Sequence, residues 1–149
     1  MMAYHDDLLD QSDHLAGRDP RRPKQANLRR AVSTAYYALF HLLISQAVSY
    51  WRLKRQRSVL ARSFDHRKMK SACSSCRSQI PELHAVAKAF VILQQSRHLA
   101  DYDNSKAWTR VEAMEEAGRA REAFEFWRRI KSRPEVQDFL LSLFAADRR

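Results

Sequence analysis

The sequence predicts an all-α fold, a bundle of four to five helices, and three observations carry that prediction. Glycine and proline number only 2 and 4 in 149 residues, too few for the many tight turns of a β-sandwich or barrel. Apolar residues recur at three- and four-residue intervals over long stretches, the period of a helix that buries one face. Hydrophobic residues make up 45% of the chain, which suits a packed core and excludes a disordered basic tail. One domain over residues 1–149 is the expectation at this length.

The elements follow in order. Residues 2–16 read as a short helix with Leu8, Leu9 and Leu15 inside and Asp6, Asp7, Asp10 and Asp13 in water. Gly17 can end it, and the charged connector 18–23 contains Pro20 and Pro23, which resist helix continuation. A long helix then covers about 24–51, its seam formed by Leu28, Val32, Ala35, Leu39, Leu42 or Leu43, and Ala47. Tyr36, Tyr37 and Phe40 widen this face, so the middle of the helix is covered from two sides. Residues 52–70 are part connector and part the start of a third helix, with Phe64, Met69, Ala72, Cys73, Cys76 and Ile80 as its apolar positions.

Pro81 and Glu82 suit the first turn of the next helix, where a missing N–H costs nothing and an acid complements the dipole. Its seam is Leu83, Val86, Phe90 and Leu93. Residues 101–106 form a polar break in which Asn104 or Ser105 can cap the following helix, expected over about 106–131. Val111, Met114, Ala117, Ala120, Phe124, Trp127 and Ile130 lie along one side of it. Pro134 stops it, and a last helix over 135–146 carries Val136, Phe139, Leu140, Leu143 and Phe144.

Composition also narrows the function. With Gly17 and Gly118 alone, no Gly-rich phosphate loop of the P-loop or dinucleotide type can be built. Cys73 and Cys76 cannot form a disulfide framework. The N-terminal residues lack the features of a secretion signal, and the most apolar stretch, 35–44, is interrupted by His41 and too short to span a bilayer. A cytoplasmic protein without cofactor or membrane partner is expected. The net charge of +10 calls for an anionic partner: nucleic acid, an anionic surface or an acidic protein.

Two regions stand out as candidate sites. Continuing the seam of the helix at 81–100 lands on Arg97, so a guanidinium extends a stripe that ought to be buried. Asp101, four residues on, can pair with it as a structural ion pair; alternatively Arg97 lines a groove and binds a phosphate. The second region is the run 52–70, where Arg52, Lys54, Arg55, Arg57, Arg62, Arg67, Lys68 and Lys70 face a single acid, Asp65. Such a run is either a solvated connector or a binding surface for RNA or another polyanion. Tyr50 and Trp51 precede it and can stack on an exposed base. Tyr36 and Tyr37 read as helix-packing material. Cys73 and Cys76, with His66 upstream, read as small buried thiols rather than a zinc site, because a second ligand arm is missing and His84 lies beyond Pro81.

Residues 30–41, reading Arg-Ala-Val-Ser-Thr-Ala-Tyr-Tyr-Ala-Leu-Phe-His, are followed about sixty residues later by 96–103, reading Ser-Arg-His-Leu-Ala-Asp-Tyr-Asp. Together they resemble the HEPN superfamily, in particular its prokaryotic branch with an A-Y-Y-A-x-F-H helix and an R-x-x-A-D-Y motif, over a core of about 24–131. The resemblance implies an up-and-down bundle of four to five helices that forms a homodimer along its motif-bearing helices. It further implies RNA binding or metal-independent RNA cleavage in toxin–antitoxin or defence systems, often beside a small nucleotidyltransferase partner.

The family's nuclease motif is Arg-x4–6-His, and Arg97 matches its arginine, whereas the three permitted histidine positions hold Tyr102, Asp103 and Asn104. In the mechanism the resemblance implies, a ribose 2′-OH attacks its phosphate while the arginine stabilises the phosphorane. Tyr102, with an ordinary pKa of about 10, is a poor general base but can donate a hydrogen bond. His98 is adjacent to Arg97, about 100° round the helix, and faces away. His41 is the other histidine to weigh, as a base near the cleft or as a hydrogen-bonded core histidine. The expectation is a homodimeric RNA-binding protein with Arg97, Asp101 and Tyr102 lining the dimer cleft. The alternatives are a non-catalytic scaffold for a nucleotidyltransferase, with Tyr102 a modification site, or a nucleotide-binding module with Arg97 on a phosphate.

Overall fold

The computed structural model describes residues 3–144, and every regular element among them is an α-helix. Helix α1 (Tyr4–Ala16) lies against α2 (Gln25–Ser49), the hub of the bundle, which also packs on α5 (Pro81–Tyr102) and α6 (Arg110–Ile130). Two short helices, α3 (Lys54–Ala61) and α4 (His66–Ser74), fill the link from α2 to α5, and α7 (Pro134–Ser142) closes the far end against α2 and α4. The all-α expectation holds.

Helix α2 is central because its sequence has no continuous polar face between Ala31 and Ile44. Ala31, Val32, Ala35, Tyr36, Leu39 and Leu43 are all fully buried there. By length and composition α2 would pass as a membrane span, yet two-thirds of its most apolar window is packed inside the bundle. Its N-terminus receives no side-chain bond from Lys24; instead Asp19 reaches over the connector and accepts from the Lys24 N–H at 3.0 Å and from Asn27 Nδ2 at 2.9 Å. Ser12 of α1 donates to the Ala31 carbonyl at 2.7 Å, and Arg121 of α6 pairs with Asp10 and Asp13, so α1 is fastened on both sides.

Three boundaries differ from the sequence reading. The single third helix is two short ones. Asp65 caps α4 by accepting from the N–H groups of Arg67 and Lys68 at 2.8 and 3.2 Å, and buried Phe64 draws the chain inward just before it. Ile80 is extended, as a residue before proline must be, so Cys76 and Ile80 lie beyond the helix.

The polar break also begins later than 101, because α5 continues through Asp101 and Tyr102. Neither Asn104 nor Ser105 caps α6. Ser105 is engaged by the Asp103 carboxylate, and Thr109 supplies the cap in a reciprocal capping box with Glu112. Finally, Val111 and Met114 are exposed, since α6 buries the row Ala113, Ala117, Ala120, Phe124 and Trp127 instead. Helix α7 buries Val136, Phe139 and Leu140 as expected, while the expected helical positions 2, 145 and 146 fall outside the described residues.

Candidate functional site

Arg97 does continue the buried seam: it lies one turn beyond Leu93 on α5, facing α2, with a side chain only 12% exposed. Its guanidinium carbon sits 5.3 Å from the ring centre of Tyr36 and 5.8 Å from that of Tyr37, successive residues of α2. Asp101 approaches to 3.6 Å, an ion pair rather than a hydrogen bond, and is held in turn by the Ser33 hydroxyl. Among the described residues Arg97 donates no hydrogen bond, and its Nε is buried without a partner. With its Nε unpartnered and Asp101 too far for a hydrogen bond, the guanidinium keeps donors that an anion could accept from.

A histidine does stand beside Arg97, but not at the spacing the motif expects. It is His66, the first residue of α4, brought against α2 by the turn at Asp65. Its Nδ1 lies 2.6 Å from the Tyr36 hydroxyl, and its ring stacks on Phe40 at 4.2 Å. Gln94 of α5 donates to its carbonyl at 3.3 Å. Tyr36 thus touches both His66 and Arg97. Burial raises the Tyr36 hydroxyl far above the ordinary range despite the opposing pull of Arg97, so it remains protonated. Burial, with repulsion from Arg97, lowers the His66 pKa below its ordinary 6.5 and keeps the ring neutral at pH 7.

No sequence rule brings residue 66 to residue 97. The nearest signal is the aspartate before His66, which reads as a helix cap and places the histidine on the first turn. What sets it against Arg97 is the packing of α4 on α5, a tertiary fact.

The other candidate residues are placed apart from this cluster. Tyr102 is 67% exposed and rests against His98 with ring centres 5.0 Å apart, a full turn beyond Arg97 on the solvent side. His41 faces α1, edge-on to Tyr4 at 5.0 Å, and its pKa is lowered first by burial and then by His5 and His66. The ring of His66 is engaged by Tyr36 and Phe40 rather than by the thiols. Cys73 is buried and its thiol is pushed up by that burial, while Cys76 is half-buried. Among the described residues no group of three or more metal-ligating side chains converges.

The histidines near α2 give a pH dependence of fixed sign. His5, His41 and His66 all sit below 6.5 in the folded chain, each chiefly through burial. Their contribution to stability is therefore complete above pH 6.5 and is lost as pH falls through their folded values, because the unfolded chain then binds more protons. Buried Glu116, whose pKa is raised, acts in the opposite sense nearer its ordinary 4.5. Urea midpoints should drop between pH 7 and pH 5.5, and the drop should shrink in His66→Gln. A flat profile would contradict the assignment.

The run 52–70 lies largely on the outside of the molecule, anchored by buried Phe64 and Met69. Helix α3 buries no residue and packs chiefly on α2. Among the described residues none of the eight cations forms an ion pair, although ion pairs form elsewhere on the surface. Two of the eight are used structurally. Arg57 donates to the carbonyls of Trp51 and Ser49 at 2.8 and 3.1 Å, closing the end of α2, and Arg62 donates to the Ser58 carbonyl at 3.2 Å. Of the remaining six, Arg52, Lys54, Arg55, Arg67 and Lys68 are exposed and Lys70 is half-buried. Lys68 also borders a cavity of about 700 Å³ between α4, α5 and α7, which Arg77, Arg133, Cys76 and Phe139 help to line. Nothing in the sequence pattern anticipates that cavity.

Compared with protein-family models, curated proteins and solved structures, the chain finds no match.

Proposed function

We propose that the chain is an RNA-binding protein of the HEPN type that acts as a homodimer. The observation that carries this reading is the set of mostly exposed cations in the run 52–70, which have no acidic partner among the described residues. Surface cations are ordinarily interspersed with acids; a concentrated, unneutralised set gains most from a polyanion, which releases its counterions on binding. Pairing of two chains is supported by exposed apolar residues on both sides of the 103–109 link: Leu99 and Tyr102 on α5, and Val111 and Met114 on α6.

A second reading, cleavage of the bound RNA, has its own support in the cluster of Arg97, Tyr36 and His66. In it Arg97 receives the scissile phosphate with its free donors. A 2′-hydroxyl attacks the adjacent phosphorus, the bond to the 5′-oxygen breaks, and a 2′,3′-cyclic phosphate and, once solvent water protonates the departing oxygen, a 5′-hydroxyl result. For His66 to take the 2′-hydroxyl proton at Nε2, its own proton must sit on Nδ1 and be donated to Tyr36. The neutral ring at pH 7 meets the first requirement of a base.

Both readings are tested with one preparation. Binding of labelled single-stranded RNA, followed across salt concentrations without divalent metal, should weaken along a log–log slope of about −4, roughly 0.7 for each of about six phosphate contacts. No binding at low salt would overturn the RNA reading. Light scattering should give twice the chain mass. If RNA is cut, Arg97→Ala and His66→Ala should each slow cutting by at least about a hundred-fold while binding persists. Cutting absent, or indifferent to both, removes the nuclease and leaves the binding protein.

A further inference from the structure

The connector between α2 and α3 carries two aromatic side chains whose rings stand in solvent and whose polar atoms are tied down. Trp51 is 49% exposed, and its Nε1–H donates to Gln56 at 2.8 Å, fixing the ring relative to α3. Tyr50, also exposed, donates its hydroxyl to the carbonyl of Lys131 at 3.4 Å, joining the connector to the end of α6. Arg57 holds the backbone beneath both through the Ser49 and Trp51 carbonyls. Rings of this kind usually turn inward, as Trp108 and Trp127 do at 6% and 2% exposure. Here the rings are held out by a hydrogen-bonded frame.

Cations border the rings on both sides. Arg52, Lys54 and Arg55 follow Trp51 in the chain. The Tyr50 bond brings in Lys131, which makes no ion pair among the described residues and is about eighty residues distant in sequence. Arg129, close by on α6, lies over Phe126 rather than on an acid. Exposed, unpaired cations on either side of two anchored aromatic faces match a strand whose bases are unstacked and whose phosphates meet the charges. It matches a duplex poorly, because a duplex hides its base faces and presents only phosphate and groove edges.

We infer that the surface formed by Lys131, Tyr50, Trp51, Arg52, Lys54 and Arg55 is a binding track for single-stranded RNA, with Trp51 and Tyr50 as stacking platforms. The inference rests on the RNA-binding reading and specifies the form of RNA and the residues that select it. A membrane surface is the weaker match. The apolar side chains Leu53 and Val59, at and within the eight-residue α3, are interspersed among cations, without the broad apolar face that an interfacial helix inserts.

The test uses the full chain, oligoadenylate of about ten nucleotides, and a duplex RNA of equal length. Because the other two tryptophans are buried, single-stranded RNA should quench emission from Trp51 selectively, and the quench should vanish in Trp51→Phe. Trp51→Ala should bind oligoadenylate about ten-fold more weakly, with its duplex affinity and thermal midpoint unchanged. Trp51→Phe should recover most of the single-strand affinity. Equal binding of both RNAs, with no quench and no effect of Trp51→Ala, would overturn the stacking track while leaving the RNA reading intact. Binding of neither RNA would overturn both. So would a blue shift of Trp51 on phosphatidylserine vesicles in the absence of RNA binding.

Discussion

Exchanging Arg52, Lys54, Arg55 and Arg67 together for glutamate is expected to lower RNA affinity by at least roughly a thousand-fold at physiological salt, with little change in thermal stability. These four are chosen because they are exposed and neither pair with an acid nor cap a helix among the described residues. Every phosphate left without its cation takes about 0.7 off the log–log salt slope, so the variant's slope should be shallower by about three; reversal of sign adds repulsion to that effect. Arg57 and Arg62 serve as the internal contrast. Arg57 closes the end of α2 through two carbonyls, so Arg57→Ala should lower the thermal midpoint as well as affinity. A quadruple variant that binds RNA as the parent does would place the RNA surface elsewhere.

The largest effect on stability outside the apolar core is expected at Arg29. Its guanidinium donates to the carbonyls of Ala100 and Asp103, both at 2.9 Å, and to that of Lys106, so one side chain satisfies the end of α5 and the link beyond it. Carbonyls at a helix C-terminus have no partner within the helix, and a cation there also complements the helix dipole. Arg29→Met keeps the aliphatic stem and removes all three bonds. The cost should be about 3 kcal/mol, seen as a fall of roughly 10 °C in thermal midpoint for a chain of this size. Arg29→Lys should recover less than half, because an ammonium cannot span three carbonyls that a planar fork reaches together. Asp101 lies between two of the clamped carbonyls, so the same variant should loosen its hold on Arg97. A midpoint within about 2 °C of the parent would contradict the clamp.

Arg29 also illustrates what a linear reading misses. It sits beside the motif-like segment 30–41 and carries no signal of its own, because its partners are backbone carbonyls more than seventy residues away. Backbone groups are the same at every position, so no residue type marks them. The misplaced cap of α6 has a related cause. Asn104, Ser105 and Thr109 are all competent caps, and the choice went to Thr109 because Ser105 was already engaged by Asp103 and Glu112 completed the box.

From residue types and spacing alone came the helical class, the seams of α2 and α5, the unusual position of Arg97 and its pairing with Asp101, and the concentration of charge in 52–70. These are local properties: helical period, side-chain charge and a four-residue reach are written in adjacent letters. The tertiary structure alone decided that Val111 and Met114 face solvent and that Tyr102 stands clear of Arg97. It also brought His66 to the tyrosine that Arg97 covers and the Lys131 carbonyl to the hydroxyl of Tyr50. Each of those depends on how α4 and α6 rotate and settle against α2 and α5. Such packing is fixed by the sum of many weak contacts between segments distant in sequence, and it leaves no pattern in either segment by itself.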